Sequence, residues 1–234
     1  MRSKRARLDR MIGSTLKISR RDAQLLITQQ RVMVDGDPAV GACQLIDEFT
    51  KVVVDNLILQ AKSPLYLMMH KPMGVVSATK DPSHTTVIDL LDPADREGLH
   101  IVGRLDFNST GLILLTNNGR WSRELTEPNK KVPKRYRVTL ANPITDEYVT
   151  AFAEGMYFAY EGITTQPATL EIVDAHTAHV VLVEGRYHQV KRMFGRFQNP
   201  VLTLHRLAIG NLYLDSNLTP GQYRYLTHDE VINI

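Results

Sequence analysis

Three short stretches hold the residues that could do chemistry. The first, Ile101 to Thr116, reads IVGRLDFNSTGLILLT. Its ends are apolar enough to be buried strands, while its middle is polar and glycine-bearing, so the middle is expected to be a surface loop. Arg104 and Asp106 stand two residues apart, which puts both side chains on one side of an extended backbone. A carboxylate and a guanidinium presented together suit a site that grips something anionic; an ordinary surface ion pair beside a turn is the competing reading. The second stretch, KRYRV from Lys134 to Val138, alternates, so Tyr136 faces away from Arg135 and Arg137, which are left to track phosphates. The third, EGRYHQVKRMFGRF from Glu184 to Phe197, turns to helical spacing, with Val190, Met193, Phe194 and Phe197 on one face and Lys191 and Arg192 beside it. His188 and Gln189 are expected to fix the start of that helix rather than to act in catalysis.

Several enzyme classes are set aside. The chain has no phosphate-cradling glycine loop ending in Lys-Ser/Thr and no dinucleotide fingerprint. His176 and His179 differ by an odd number on an expected strand, so they point to opposite faces and cannot share a metal. One cysteine, Cys43, makes neither a disulfide nor a zinc ribbon, and no serine nucleophile elbow is present. The expectation is an activity that needs neither metal nor organic cofactor.

The elements that must position these residues belong to a chain of 234 residues, 43% hydrophobic and 23% charged, the composition of a globular protein. No apolar run is long enough for a membrane span, and the basic start lacks the apolar core of a signal peptide. With a single cysteine, this argues for a cytoplasmic protein. The formal charge of +3 is unevenly spread. Residues 1 to 31 carry nine basic side chains, Arg2 and Lys4 among them, against Asp9 and Asp22, so the front is at +7 and the remainder at −4. A polyanion is the partner such asymmetry favours.

Within that front, Leu8, Met11, Ile12 and Leu16 recur at helical spacing, and Ser19 is placed to cap a second helix with Ala23, Leu26 and Ile27 inward. Val32-Met33-Val34 before Asp35-Gly36 reads as a strand entering a tight turn, and the arginines are left outside. Val52 to Leu59 closes this small domain, and Gln60 to Pro64 reads as a linker. The domains expected are 1–60 and 65–234, joined by 61–64. In the second, Leu65 to Met69 is a strand, His70 to Gly74 a turn, Asn117-Asn118-Gly119 a turn before a short helix, Thr145 a helix cap, Ala168–Val173 and His179–Val183 paired strands, Val201–Ile209 another strand, and Thr227 with Glu230 a capping box. Strands joined mostly by turns give an α+β fold with a mixed, mostly antiparallel sheet.

RLDRMI, SRRDAQLLI and RVMVDG together resemble the αL RNA-binding fold named after a ribosomal small-subunit protein. GRLD, KRYRV and EGRYHQVKRM, with HKPMGVVSAT and LTPGQYRYLT, extend the likeness: the chain resembles bacterial ribosomal RNA pseudouridine synthases of the RsuA type over nearly its whole length. His70 departs from the asparagine that the family often has before Lys-Pro. The resemblance implies that Asp106 is the essential aspartate, that Tyr136 stacks on the target base, that Lys191 pairs with Asp106, and that Arg104 fills the gap left by a flipped nucleotide. Arg186 and Arg192 are expected to touch substrate, and Arg7, Arg20, Arg21, Arg31, Lys134 and Arg135 to contact RNA. The implied reaction isomerises a uridine of 16S rRNA by base flipping and a single carboxylate, in a pocket kept dry. Ribosomal RNA or a small-subunit assembly particle is the implied partner of a monomeric enzyme. The rivals are the same chemistry on 23S rRNA or transfer RNA, and a non-catalytic RNA-binding assembly factor.

Overall fold

The structure, a computed structural model, describes residues 5–234; Arg2 and Lys4 lie outside the described residues. Packing divides the chain into two units, one ending at Pro64 and one from Leu65 to Ile234.

The first unit opens with β1 (Ala6–Arg7) and two helices, α1 (Leu8–Leu16) and α2 (Arg20–Thr28). Ser19 Oγ accepts the Asp22 amide, satisfying one of the free N–H groups at the start of α2. Four strands follow as a sheet, with β2 (Val32–Val34) between β3 (Asp37–Pro38) and β5 (Val52–Val54), and β6 (Leu57–Gln60) outside β5; β4 (Leu45–Ile46) pairs with β1. Leu8, Ile12, Ala23, Ile27, Val32, Val34, Val52 and Val54 form its core. The arginines are not all free on the outside. Asp9 is fully buried, and its carboxylate accepts Arg7 at 2.8 Å, Arg20 at 2.9 Å and Gln24 at 3.0 Å. A helix-start carboxylate buried without those donors would carry a heavy desolvation cost, which is why two basic residues turn back onto it.

The second unit is built on a nine-stranded sheet. Its strands are β7 (Tyr66–Lys71), β8 (His100–Val102), β9 (Thr110–Thr116) and β10 (Lys134–Leu140), then, after a small separate pair β11 (Tyr157–Phe158) and β12 (Ile163–Thr164), β13 (Thr169–Asp174), β14 (Thr177–Leu182), β15 (Val201–Ile209), β16 (Leu212–Tyr213) and β17 (Tyr223–Tyr225). The order is β13-β14-β10-β15-β9-β7-β17, with β8 added on β9 and β16 on β15. All neighbours are antiparallel except β9 and β15, which run parallel over His205–Thr110 and Arg206–Gly111. The continuous apolar run of β9 is explained by burial on both sides: Ile113 and Leu115 pack with Leu67, Met69, Val87 and Leu91, whereas Leu112 and Leu114 pack with Met68, Leu125 and Ile209. Each such fully buried aliphatic side chain contributes roughly 1.5–3 kcal/mol.

α3 (Gly119–Thr126), α4 (Asp146–Glu154), α5 (Gln189–Gly195) and α6 (His228–Ile232) complete the unit. Thr227 and Glu230 make the expected reciprocal capping box. Thr145 stands at the start of α4, but its hydroxyl goes to Glu147 Oε1 at 3.1 Å instead of to a backbone N–H. Two boundaries move from their expected places. β7 runs through His70 and Lys71, because both pair with β9, so the turn is confined to Pro72–Gly74. β14 begins at Thr177, since the tight turn at Ala175-His176 lets pairing start two residues before His179.

Candidate active site

One row across the sheet carries Lys71 of β7, Gly111 of β9, Arg206 of β15 and Tyr136 of β10. Gly111 is required there by backbone geometry. Its φ is +106°, and a Cβ would overlap the carbonyl oxygen and amide of Arg206 on the neighbouring strand. The loop between β8 and β9, residues 103–109, emerges beside this row and bears Asp106.

Most of the backbone carbonyls of that loop are held. Arg206, 2% exposed, donates to Leu112 O at 2.7 Å, to Gly103 O at 2.9 Å and to Arg104 O at 3.4 Å. Lys71, fully buried, donates to Ser109 O at 2.8 Å, Pro72 O at 2.9 Å and Phe107 O at 3.3 Å. Burial pushes its ammonium down to about 8, against the attraction of Asp106 and with further help from Arg206. Ser77 grips Leu105 from both sides, its hydroxyl donating to the carbonyl at 2.7 Å and accepting the amide at 3.0 Å. Gly74 N–H donates to Phe107 O, and Ser109 N–H closes a turn onto Asp106 O at 3.0 Å. A loop fixed at so many points presents its side chains without having to be ordered by a ligand.

The Asp106 side chain, about one-third exposed, lies 3.0 Å from Lys191 Nζ and 3.5 Å from His188 Nε2. Both residues come from the start of α5, 82 to 85 positions along the chain. His188 adopts a left-handed backbone (φ +49°) and stacks its ring on Tyr187 at 3.9 Å. Beside Asp106 is a narrow cleft of about 60 Å³, walled by Leu105, Tyr136, Leu182, Val190 and Leu204 and rimmed by Arg104, Ser109, His188 and Gln189. Asp106 is its one carboxylate among the described residues. Tyr136 is 8% exposed, faces inward as the alternation of β10 requires, and lies in the same wall. The arrangement offers a single acid with a paired ammonium, an aromatic wall and an exposed guanidinium, which suits the recognition of one flat ring attached to an anionic chain.

Residues 65–195 match the family model described as RNA pseudouridylate synthase. The chain belongs to that family. A ribosomal small subunit pseudouridine synthase A of Pseudomonas aeruginosa is 48% identical over 97% of this chain and 100% of the relative. The protein of the same name from Escherichia coli K12 is 41% identical over 97% and 99%. The structure also superimposes on a pseudouridylate synthase crystal structure with a TM-score of 0.71, at 37% identity, covering 97% of this chain and 98% of the other.

In this synthase the other expected site residues are placed differently from one another. Arg186 donates to Glu184 Oε2 at 2.9 Å, and Glu184 also accepts Gln189 at 2.7 Å and the Gln166 amide at 2.9 Å, a knot that fixes the start of α5. Arg192 is held by both oxygens of Glu161, at 2.6 and 2.5 Å, with its guanidinium 3.7 Å over the Phe158 ring. Neither guanidinium lines the cleft. Lys134 donates to Val132 O at 2.7 Å and is pushed down to about 8 by burial and then by Arg206, while Arg135 is half-buried. In the first unit Arg31 is paired with Asp55 at 2.7 Å, Arg7 and Arg20 serve Asp9, and Arg21 is exposed with no carboxylate partner among the described residues. A wider hollow, about 680 Å³ beside α2 and β6, is lined by Leu16, Leu25, Leu26 and Leu57 with the Arg31–Asp55 pair, and none of the cleft residues borders it. Sequence reasoning passed over Lys71, Arg206 and Ser109. The only signal was a basic residue inside each of two otherwise apolar strands, YLMMHK and VLTLHRLAI.

Proposed function

We propose that this protein isomerises a uridine of small-subunit ribosomal RNA to pseudouridine, with Asp106 as the reacting carboxylate. The observation that carries the reading is the Asp106–Lys191 pair, 3.0 Å apart, at the mouth of a cleft walled by Tyr136. The names borne by the relatives from Pseudomonas aeruginosa and Escherichia coli support the small-subunit target.

In the reaction the bond from C1′ to N1 breaks, the uracil turns in place, and C1′ bonds to C5; the proton leaving C5 is balanced by one gained at N1. Composition is unchanged, so nothing has to be supplied or removed by a cofactor. Asp106 acts on the sugar, either by bonding to C1′ or by taking a proton from it, with Lys191 as its counter-ion. Tyr136 stacks on the extruded base, and the apolar cleft keeps water from capturing the detached uracil. Exposed Arg104 takes the space that the flipped base leaves in the RNA stack. Arg186 and Arg192 act on substrate through the position they give α5. The 1–60 unit is an αL RNA-binding domain in which Arg7, Arg20, Arg21 and Arg31 meet phosphates; in the catalytic domain Lys134 and Arg135 contact RNA. The enzyme is read as a cytoplasmic monomer.

Release of tritium from RNA labelled at C5 of uridine tests the activity, and carbodiimide mapping of rRNA locates the site. An assembly factor without catalysis would bind the same RNA and release none.

A further inference from the structure

Ser109 is fully buried, yet its hydroxyl has no hydrogen-bond partner among the described residues. Two nearby hydroxyls are engaged: Thr110 Oγ1 with His205 Nδ1 at 2.8 Å and Ser77 Oγ with Leu105. Leaving a buried hydroxyl unpaired is costly, and Ser109 Oγ is the one buried side-chain polar atom so left among the described residues. The Ser109 backbone cannot swing to relieve it, because its N–H is bonded to Asp106 O and its carbonyl to the Lys71 ammonium. Ser109 is among the residues lining the same cleft as Asp106 and Tyr136, with three leucines, a valine, Arg104, His188 and Gln189 around it.

We propose that the Ser109 hydroxyl donates a hydrogen bond to a carbonyl oxygen of the uracil ring held in this cleft, an inference that rests on the uridine-isomerising reading above. When the C1′–N1 bond breaks, the electron pair leaves with uracil, and the negative charge spreads onto the two ring carbonyl oxygens. A prepositioned, buried donor strengthens its bond at that moment, so Ser109 lowers the barrier more than it tightens binding. The ring enters a cleft with an unpaired hydroxyl waiting, and the orphan group of the free enzyme is satisfied only in the complex.

Single-turnover tritium release by Ser109→Ala and Ser109→Thr tests this, with thermal unfolding of both. The expected result is a fall in kcat of about 10- to 100-fold for Ser109→Ala with KM nearly unchanged, an unfolding temperature equal to or above that of the parent, and substantial recovery of kcat in Ser109→Thr, which keeps the hydroxyl. Parental kcat in Ser109→Ala overturns the proposal. So does equal loss in both variants accompanied by a lowered unfolding temperature, which marks a packing role. A parent protein that releases no tritium from any ribosomal RNA defeats instead the reading on which the proposal stands.

Discussion

Lys71 and Arg206 flank Gly111 in one row of the sheet, two buried cations that each donate to three backbone carbonyls and grip the Asp106 loop at its two ends. Below about pH 8 the Lys71 ammonium has three N–H donors for three carbonyls; above it one is lost. Activity is therefore expected to fall on the alkaline side with a midpoint near pH 8. Global stability is expected to move the other way. The folded value lies below the ordinary 10.5, so between these limits the unfolded chain holds the extra proton and this group's contribution to stability rises with pH. A pH–rate profile beside denaturant titrations checks the opposed signs. Lys71→Met should abolish the limb along with most activity, whereas Lys134→Arg should leave it.

Gly111→Ala is expected to prevent folding of the catalytic unit or to leave it insoluble. The added methyl collides with the Arg206 backbone, which parallel pairing holds in place, and the φ of +106° is unfavourable to alanine as well. Far-ultraviolet circular dichroism and the soluble yield of the variant are the measurements; a soluble, active variant would mean that β9 and β15 are less closely packed than described.

Asp9→Asn should destabilise the first unit by about 2 kcal/mol, from lost charge-assisted hydrogen bonds, partly offset as the half-exposed Arg7 and Arg20 regain water. The Arg7 and Arg20 guanidiniums hold the Asp9 carboxyl well below the usual carboxylate range. Its contribution is accordingly complete above about pH 4 and is lost as pH falls toward the folded value. Thermal unfolding between pH 2 and 7 should show a steeper acid loss in the parent than in Asp9→Asn.

Arg21→Ala should weaken RNA binding evenly across sequences and reduce the slope of log affinity against log salt by about 1. Arg31→Ala should do less, because Asp55 already neutralises that guanidinium. Filter binding of rRNA fragments at several salt concentrations separates the two.

What the sequence disclosed and what it hid divide along a physical line. Periodicity and capping are local, so Ser19, the buried face of α5 and the Thr227–Glu230 box could be read directly. The alternation of β10 likewise placed Tyr136 inward. The convergence of Lys191 on Asp106 came from family likeness, since no spacing rule joins residues 85 apart. Lys71 and Arg206 stayed hidden because a buried cation satisfied by carbonyls leaves no partner residue to find in a sequence. Arg192 looked free for substrate because Glu161, which holds it, is 31 residues away on a separate loop.

Asp106 is the group on which the proposed isomerisation turns. Single-turnover tritium release by Asp106→Asn, on small-subunit rRNA or its assembly particle, tests this most directly. No release above background, with RNA affinity kept within a few-fold of the parent, is the predicted result; release at the parental rate would contradict it.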